Sequence, residues 1–214
     1  MRKLTKTRQI PGFDEWYNQN PSKKYNSPNG DFYYSIVRNL FSIRDGLCAY
    51  TERRLCPKKH YVGLTEFSGN EKSGFDGNLE HFDASLKGSN GWQWDNFLMA
   101  HTDTNRRKNN KPVNYILKPD SADYDPNFYL SYNYEKHLFH ANTENLTSEE
   151  IIRVNGMIVL LGISFDSVVD DREKYFEEMI SQVEFKLADW QDFEGKVDRF
   201  YTAFKMIKTN FSST

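Results

Sequence analysis

Cysteine is scarce in this chain. Only Cys48 and Cys56 occur in 214 residues, too few for a disulfide framework. Proline is also sparse, with seven residues, and there is no internal repeat and no low-complexity tract. Long apolar runs are missing. The strongest, Met157 to Ile163, falls far short of the ~20 residues a membrane span needs, so no membrane partner is expected. The first residues, MRKLTKTRQIPG, are basic but lack the apolar core of a signal peptide. A cytoplasmic protein is the plain expectation. The aromatic residues make up for the low mean hydropathy of −0.78. Sixteen Phe, thirteen Tyr and four Trp can build a core, so a folded chain is expected.

Net charge is near balance, but its distribution is not. Residues 1–60 carry twelve Lys/Arg against five Asp/Glu, whereas residues 119–214 carry nine against eighteen. A basic front and an acidic back suit a protein that holds a polyanion with one part and a protein partner with the other. The alternative is that the acidic residues are the solvated faces of C-terminal helices.

Local patterns predict an extended arm over 1–12, a helical turn at 13–17 and a loop over 18–30. Apolar spacing from Tyr33 to Phe41 predicts a helix capped by Asp31 and ended by Gly46. Residues 66–77 read as a connection. Strands are expected at 78–82 and within 92–99, where Trp92 and Trp94 would share a face. Next comes a helix starting near Asn105, capped by Thr102, Asp103 or Thr104. A hairpin is expected over 127–142, then helices over 149–162, 165–187 and 193–208. Thr147 and Ser148 ahead of Glu149 and Glu150 mark the first of these. The fold class is therefore α+β: a strand–strand–helix unit within a mainly helical chain that also carries a small hairpin. Residues 1–118 would form the chemistry-bearing region, and residues 119–214 the hairpin and helical region.

The densest chemistry lies in NLEHFDASLKGSNGWQWDNFLMAHTDTNRRKNNK, residues 78–111. Glu80 offers a carboxylate and Asn105 an amide oxygen, both hard ligands for Mg²⁺. His81 has a near-neutral intrinsic pKa, suited to taking a proton from water. Strand neighbours point to opposite faces, so Glu80 and His81 can serve one metal only at a twist or strand end. Asn96 would act indirectly, by pinning the loop. Arg106, Arg107, Lys108 and Lys111 follow at once and would contact phosphate. His101 reads as structural, with a metal-site role as the alternative.

The stretch resembles the HNH (ββα-metal) endonucleases, with His81, Asn96 and Asn105 at the H-N-N positions. That resemblance implies His81 as general base, Glu80 and Asn105 as Mg²⁺ (or Mn²⁺) ligands, and Asn96 as the loop-stabilising residue. The chain is also similar to the PtuB group, the HNH partners of PtuA-like ATPases in Septu and retron-associated anti-phage systems. The matches are MRKL at the start, GLCAYTERRL, LEHFDAS, WDNFLMA, TNRRK, and LLGIS with Arg172 after it. The resemblance implies a nuclease subunit of an anti-phage complex, its acidic C-terminal region docked on the ATPase. DNA is the preferred substrate. A tRNA-directed RNase using the same site, and an inactive HNH-like binding module, are the alternatives. Relatives carry two Cys pairs that hold a zinc. The matching positions here are Cys48, Thr51, His101 and Thr104, of which two are zinc-ligand types where a structural site wants four. No structural zinc is expected, and a packed, hydrogen-bonded substitute would take its place.

Overall fold

A computed structural model describes residues 1–25, 32–62 and 74–212. Among them the element order is α1 (Phe13–Gln19), α2 (Tyr33–Ile43), β1 (Asn78–His81), β2 (Phe97–Ala100), α3 (Thr102–Lys108), α4 (Pro126–Tyr129), β3 (Leu130–Asn133), β4 (Leu138–Ala141), α5 (Ser148–Leu160), α6 (Asp166–Glu184) and α7 (Tyr201–Ser212). The fold is α+β, with two separate two-stranded antiparallel sheets, β1–β2 and β3–β4. No helix among the described residues is long and apolar enough to cross a membrane.

The helical patterns become buried faces. In α2, Tyr33, Ile36, Val37, Leu40 and Phe41 are buried, as their 3–4 spacing requires. The expected cap, Asp31, lies outside the described residues, as does most of the connection expected over 66–77. After α2 the chain turns at Gly46, which has φ 69°. A Cβ there would sit 2.0 Å from Cys56 O, so only glycine lets residues 46–56 fold back on themselves. Helix α5 starts with a capping box between Thr147 and Glu150, which satisfies two backbone donors at once.

Two local expectations are corrected. The segment expected to be a strand from Trp92 starts later. Trp94–Asn96 form a 3₁₀ turn ahead of β2, and the two tryptophans part company. Trp92 packs edge-on to Trp16 at 5.4 Å, while Trp94 lies under the Lys6 ammonium at 5.2 Å. The last helix begins at Tyr201 rather than Phe193. Phe193 closes a 3₁₀ turn, and Phe200 adopts φ 54°, which no right-handed helix continues through. That conformation brings the Phe200 ring against Tyr175 and Phe176, at 5.7 and 6.3 Å. Core packing outweighs local helical preference here.

Buried side chains from Met1 to Ile207 form one continuous cluster. The N-terminal arm belongs to it. Leu4 N donates to Pro119 O at 2.7 Å. Lys6 Nζ pairs with Asp120 at 2.9 Å and donates to Trp94 O and Phe97 O at 2.7 and 2.9 Å. The entry to β2 is thereby held by a charged tether as well as by apolar packing.

Candidate functional site

Strands β1 and β2 pair in register, with Glu80 opposite Leu98 and His81 opposite Phe97. Helix α3 leaves the end of β2 and packs on β1. Its N-cap is His101, whose Nδ1 accepts the Asp103 N–H at 3.2 Å. The threonines and aspartate expected to cap this helix lie inside it.

Alternation along β1 separates Glu80 from His81, and both are buried, each about 1% exposed. Glu80 faces α3. Its Oε1 lies 2.6 Å from Lys108 Nζ, which also donates to His81 O at 3.0 Å. At that distance the ammonium and carboxylate form a buried ion pair. Burial pushes the Glu80 carboxyl up to about 7, and the nearby Lys108 offsets this only in part.

His81, the last residue of β1, points the other way. Its Nε2 lies 2.8 Å from Gly91 O. A carbonyl can only accept, so Nε2 carries the proton and Nδ1 keeps its lone pair. The rings of Tyr25 and Phe97 stand edge-on to it, at 4.4 and 5.0 Å. Burial lowers the His81 pKa to about 4, so the ring is neutral at physiological pH.

Asn96 clamps the exit of β1. Its Oδ1 accepts from Asp83 N at 2.7 Å, its Nδ2 donates to Asp83 O at 2.9 Å, and its backbone O accepts from Phe82 N at 2.8 Å. Asp83 in turn accepts from Tyr115 Oη at 2.9 Å. Replacing Asn96 by alanine would strand two partly buried backbone groups. A loss of about 1–3 kcal/mol is expected, read from urea denaturation. An unchanged midpoint would mean that this clamp contributes nothing.

The four basic residues do not act as one face. Arg106 is exposed and pairs with Asp103 at 3.0 Å. The Arg107 guanidinium lies over the Phe165 ring at 4.4 Å, and Lys111 is exposed. Lys108 is fully buried. The expectation that Lys108 contacts phosphate is corrected: in this structure its ammonium joins α3 to β1. Lys108 lies four residues after buried Thr104 and three after half-buried Asn105, so it shares their inward face of α3.

The four positions that the sequence resemblance matched to zinc ligands, Cys48, Thr51, His101 and Thr104, are all out of solvent. His101 N donates to Cys48 Sγ at 3.4 Å, and His101 Nε2 lies 2.7 Å from Asp76 Oδ2. Among the described residues, no group of three or more His, Cys, Asp or Glu could hold a metal. Both His101 ring nitrogens are engaged, one by a helix cap and one by a carboxylate.

Two buried charged groups elsewhere in the core carried no recognisable spacing signal. Glu52, at φ 59°, accepts from Thr202 N and Oγ1 at 2.9 and 2.6 Å. Burial pushes its pKa up, but interactions that include the Arg44 charge and the hydrogen bonds from Thr202 outweigh that and bring it to about 2. Arg172 donates to Ile163 O at 2.8 Å and lies over the Phe139 ring at 4.8 Å. Both side chains join segments remote in sequence. A scan against protein-family models finds no matching family, and a search of curated proteins finds no match.

Proposed function

We propose that this chain is a metal-dependent endonuclease of the HNH type, hydrolysing phosphodiester bonds of nucleic acid, with DNA preferred. The observation that carries the reading is His81: a neutral imidazole at the end of a strand, one nitrogen tied to a backbone carbonyl and the other left with its lone pair. That is the form a general base needs to take a proton from attacking water. Asn96 supports it by fixing the backbone that leaves β1 directly after His81.

On this reading Glu80 and Asn105 would hold a single hard cation. Glu80 would offer its buried carboxylate, whose Oε1 already lies 2.6 Å from Lys108 Nζ, and Asn105 would add an amide oxygen from α3. Mg²⁺ or Mn²⁺ held there would supply positive charge to the phosphate and the leaving oxygen. The chain's own parts do the rest. Lys108 balances the Glu80 charge. Arg106, Arg107 and Lys111 are exposed, and Arg side chains suit the bidentate contacts a phosphate backbone offers.

The cellular reading follows from the same resemblance. The chain acts in the cytoplasm as the nuclease subunit of an anti-phage complex, with a PtuA-like ATPase docked on its acidic C-terminal region. The test is a titration of the purified chain with Mg²⁺ or Mn²⁺ against plasmid DNA and total RNA, with and without the ATPase. Metal-dependent nicking of plasmid is expected. Cleavage confined to RNA would make the chain an RNase using the same residues. Tight binding with no cleavage under either metal would make it a binding module and end the enzymatic reading.

A further inference from the structure

After α1 the chain crosses over His81. Tyr25 N donates to Lys87 O at 3.1 Å, and Lys23 O accepts from Gly91 N at 3.2 Å. Lys24 O accepts from the Trp92 indole at 3.1 Å. These bonds tie residues 23–25 across the connection between β1 and β2. They set the Tyr25 ring against His81, at 4.4 Å between centroids, and against Trp92 at 5.1 Å.

The crossing depends on Gly91. A Cβ at that position would lie 2.2 Å from Tyr25 N and 2.6 Å from Lys87 O. The same residue supplies the carbonyl that holds His81 Nε2. One glycine therefore orients the imidazole and admits the segment that covers it. Of the rings against His81 among the described residues, Phe97 belongs to the paired strand, and Tyr25 alone comes from outside the β1–β2 unit. With Tyr25 in place His81 is 1% exposed, and a base that takes a proton from water must be reached by water.

We infer that residues 23–25 form a strap that controls access to His81: closed, they shield the imidazole from water and phosphate, and the site works only when they lift. This rests on His81 being the base. Backbone hydrogen bonds of a short segment open locally without unfolding the whole chain, so the strap can move while β1, β2 and α3 stay paired.

Diethyl pyrocarbonate tests it on the full chain, with modification of each histidine followed by peptide mass spectrometry. His60 and His140 are exposed and serve as internal standards. In the parent, His81 is expected to react far more slowly than either. Tyr25→Ala removes the ring, and Gly91→Ala forces the strap away. Each should raise the His81 rate by about tenfold, the scale of one lost aromatic contact, while Tyr25→Phe, which keeps the ring, should stay closer to the parent than Tyr25→Ala. Plasmid cleavage with Mn²⁺ should rise in Tyr25→Ala; Gly91→Ala also disturbs the carbonyl that holds His81 Nε2, so it is read by modification alone. A parent His81 as reactive as His60, or one still protected in Tyr25→Ala, overturns the inference. So does an exposed His81 with slower cleavage, which would make Tyr25 a positioning residue. If His81 opens as expected and no variant cleaves anything, the cover over His81 stands and the base assignment falls.

Discussion

On the proposed nuclease reading, replacing His81 is expected to abolish metal-dependent cleavage while leaving the fold in place. General-base catalysis contributes ~10²–10⁴-fold, so a His81→Ala protein should cut nucleic acid at or below the detection limit of a plasmid assay. Alanine also removes a buried ring that touches Tyr25 and Phe97, and the cavity left behind lowers stability. His81→Gln separates the two effects. Its amide can still donate to Gly91 O and fills much of the same space, but it has no basic nitrogen. Both variants should be inactive, and the glutamine variant should melt closer to the parent. Parent-like cleavage by His81→Gln, with metal present, would show that the imidazole is not the base.

Removing the Lys108 charge is expected to give the largest loss of stability. Lys108→Met keeps the stem of the side chain but leaves Glu80 buried with its nearest cation gone. Breaking a buried pair on one side costs about 3–5 kcal/mol, a large share of the ~5–15 kcal/mol that holds a domain together. The His81 O···Lys108 bond is lost as well.

The pH dependence has a definite sign. The folded pKa of Glu80 is raised from the ordinary 4.5 to about 7, chiefly by burial. Folding therefore favours the protonated acid, and stability falls as pH rises through that window. Without Lys108 the pKa moves further up. The Lys108→Met deficit in urea should accordingly be smaller at low pH than above neutrality. Adding Glu80→Gln should recover much of the loss, because a neutral amide has no charge to strand. A deficit that stays the same at every pH, or that Glu80→Gln leaves untouched, would show that the pair is not what holds α3 to β1.

Much of the local structure was legible in the sequence because it is written in short-range chemistry. The 3–4 spacing of Tyr33 to Phe41 marks α2. The Thr147–Glu150 box starts α5 within a residue or two. Alternation marks β3 and β4 as a hairpin, and β1 lies within one residue of its expected end. The polar cluster at 78–111 was visible too, since Glu80, His81, Asn96 and Asn105 stand out by residue type and spacing. The misses share a physical reason. Phe200 abandons helical geometry for a place between Tyr175 and Phe176, and those partners are 25 and 24 positions away. Lys108 reads as a surface cation in the run RRKNNK, but its partner Glu80 lies in a strand that only the tertiary fold brings under it.

Residue type and spacing by themselves determined the α+β character, the order of elements, the Glu80–His81 pair and the candidate asparagines. Tertiary structure decided the charge and access of each group. It turned Glu80 toward Lys108 and His81 toward Gly91, set Asn96 on the Asp83 backbone, and laid Tyr25 over the imidazole. Burial and a partner fixed through space set a side chain's protonation and reach, and neither is encoded in neighbouring residues.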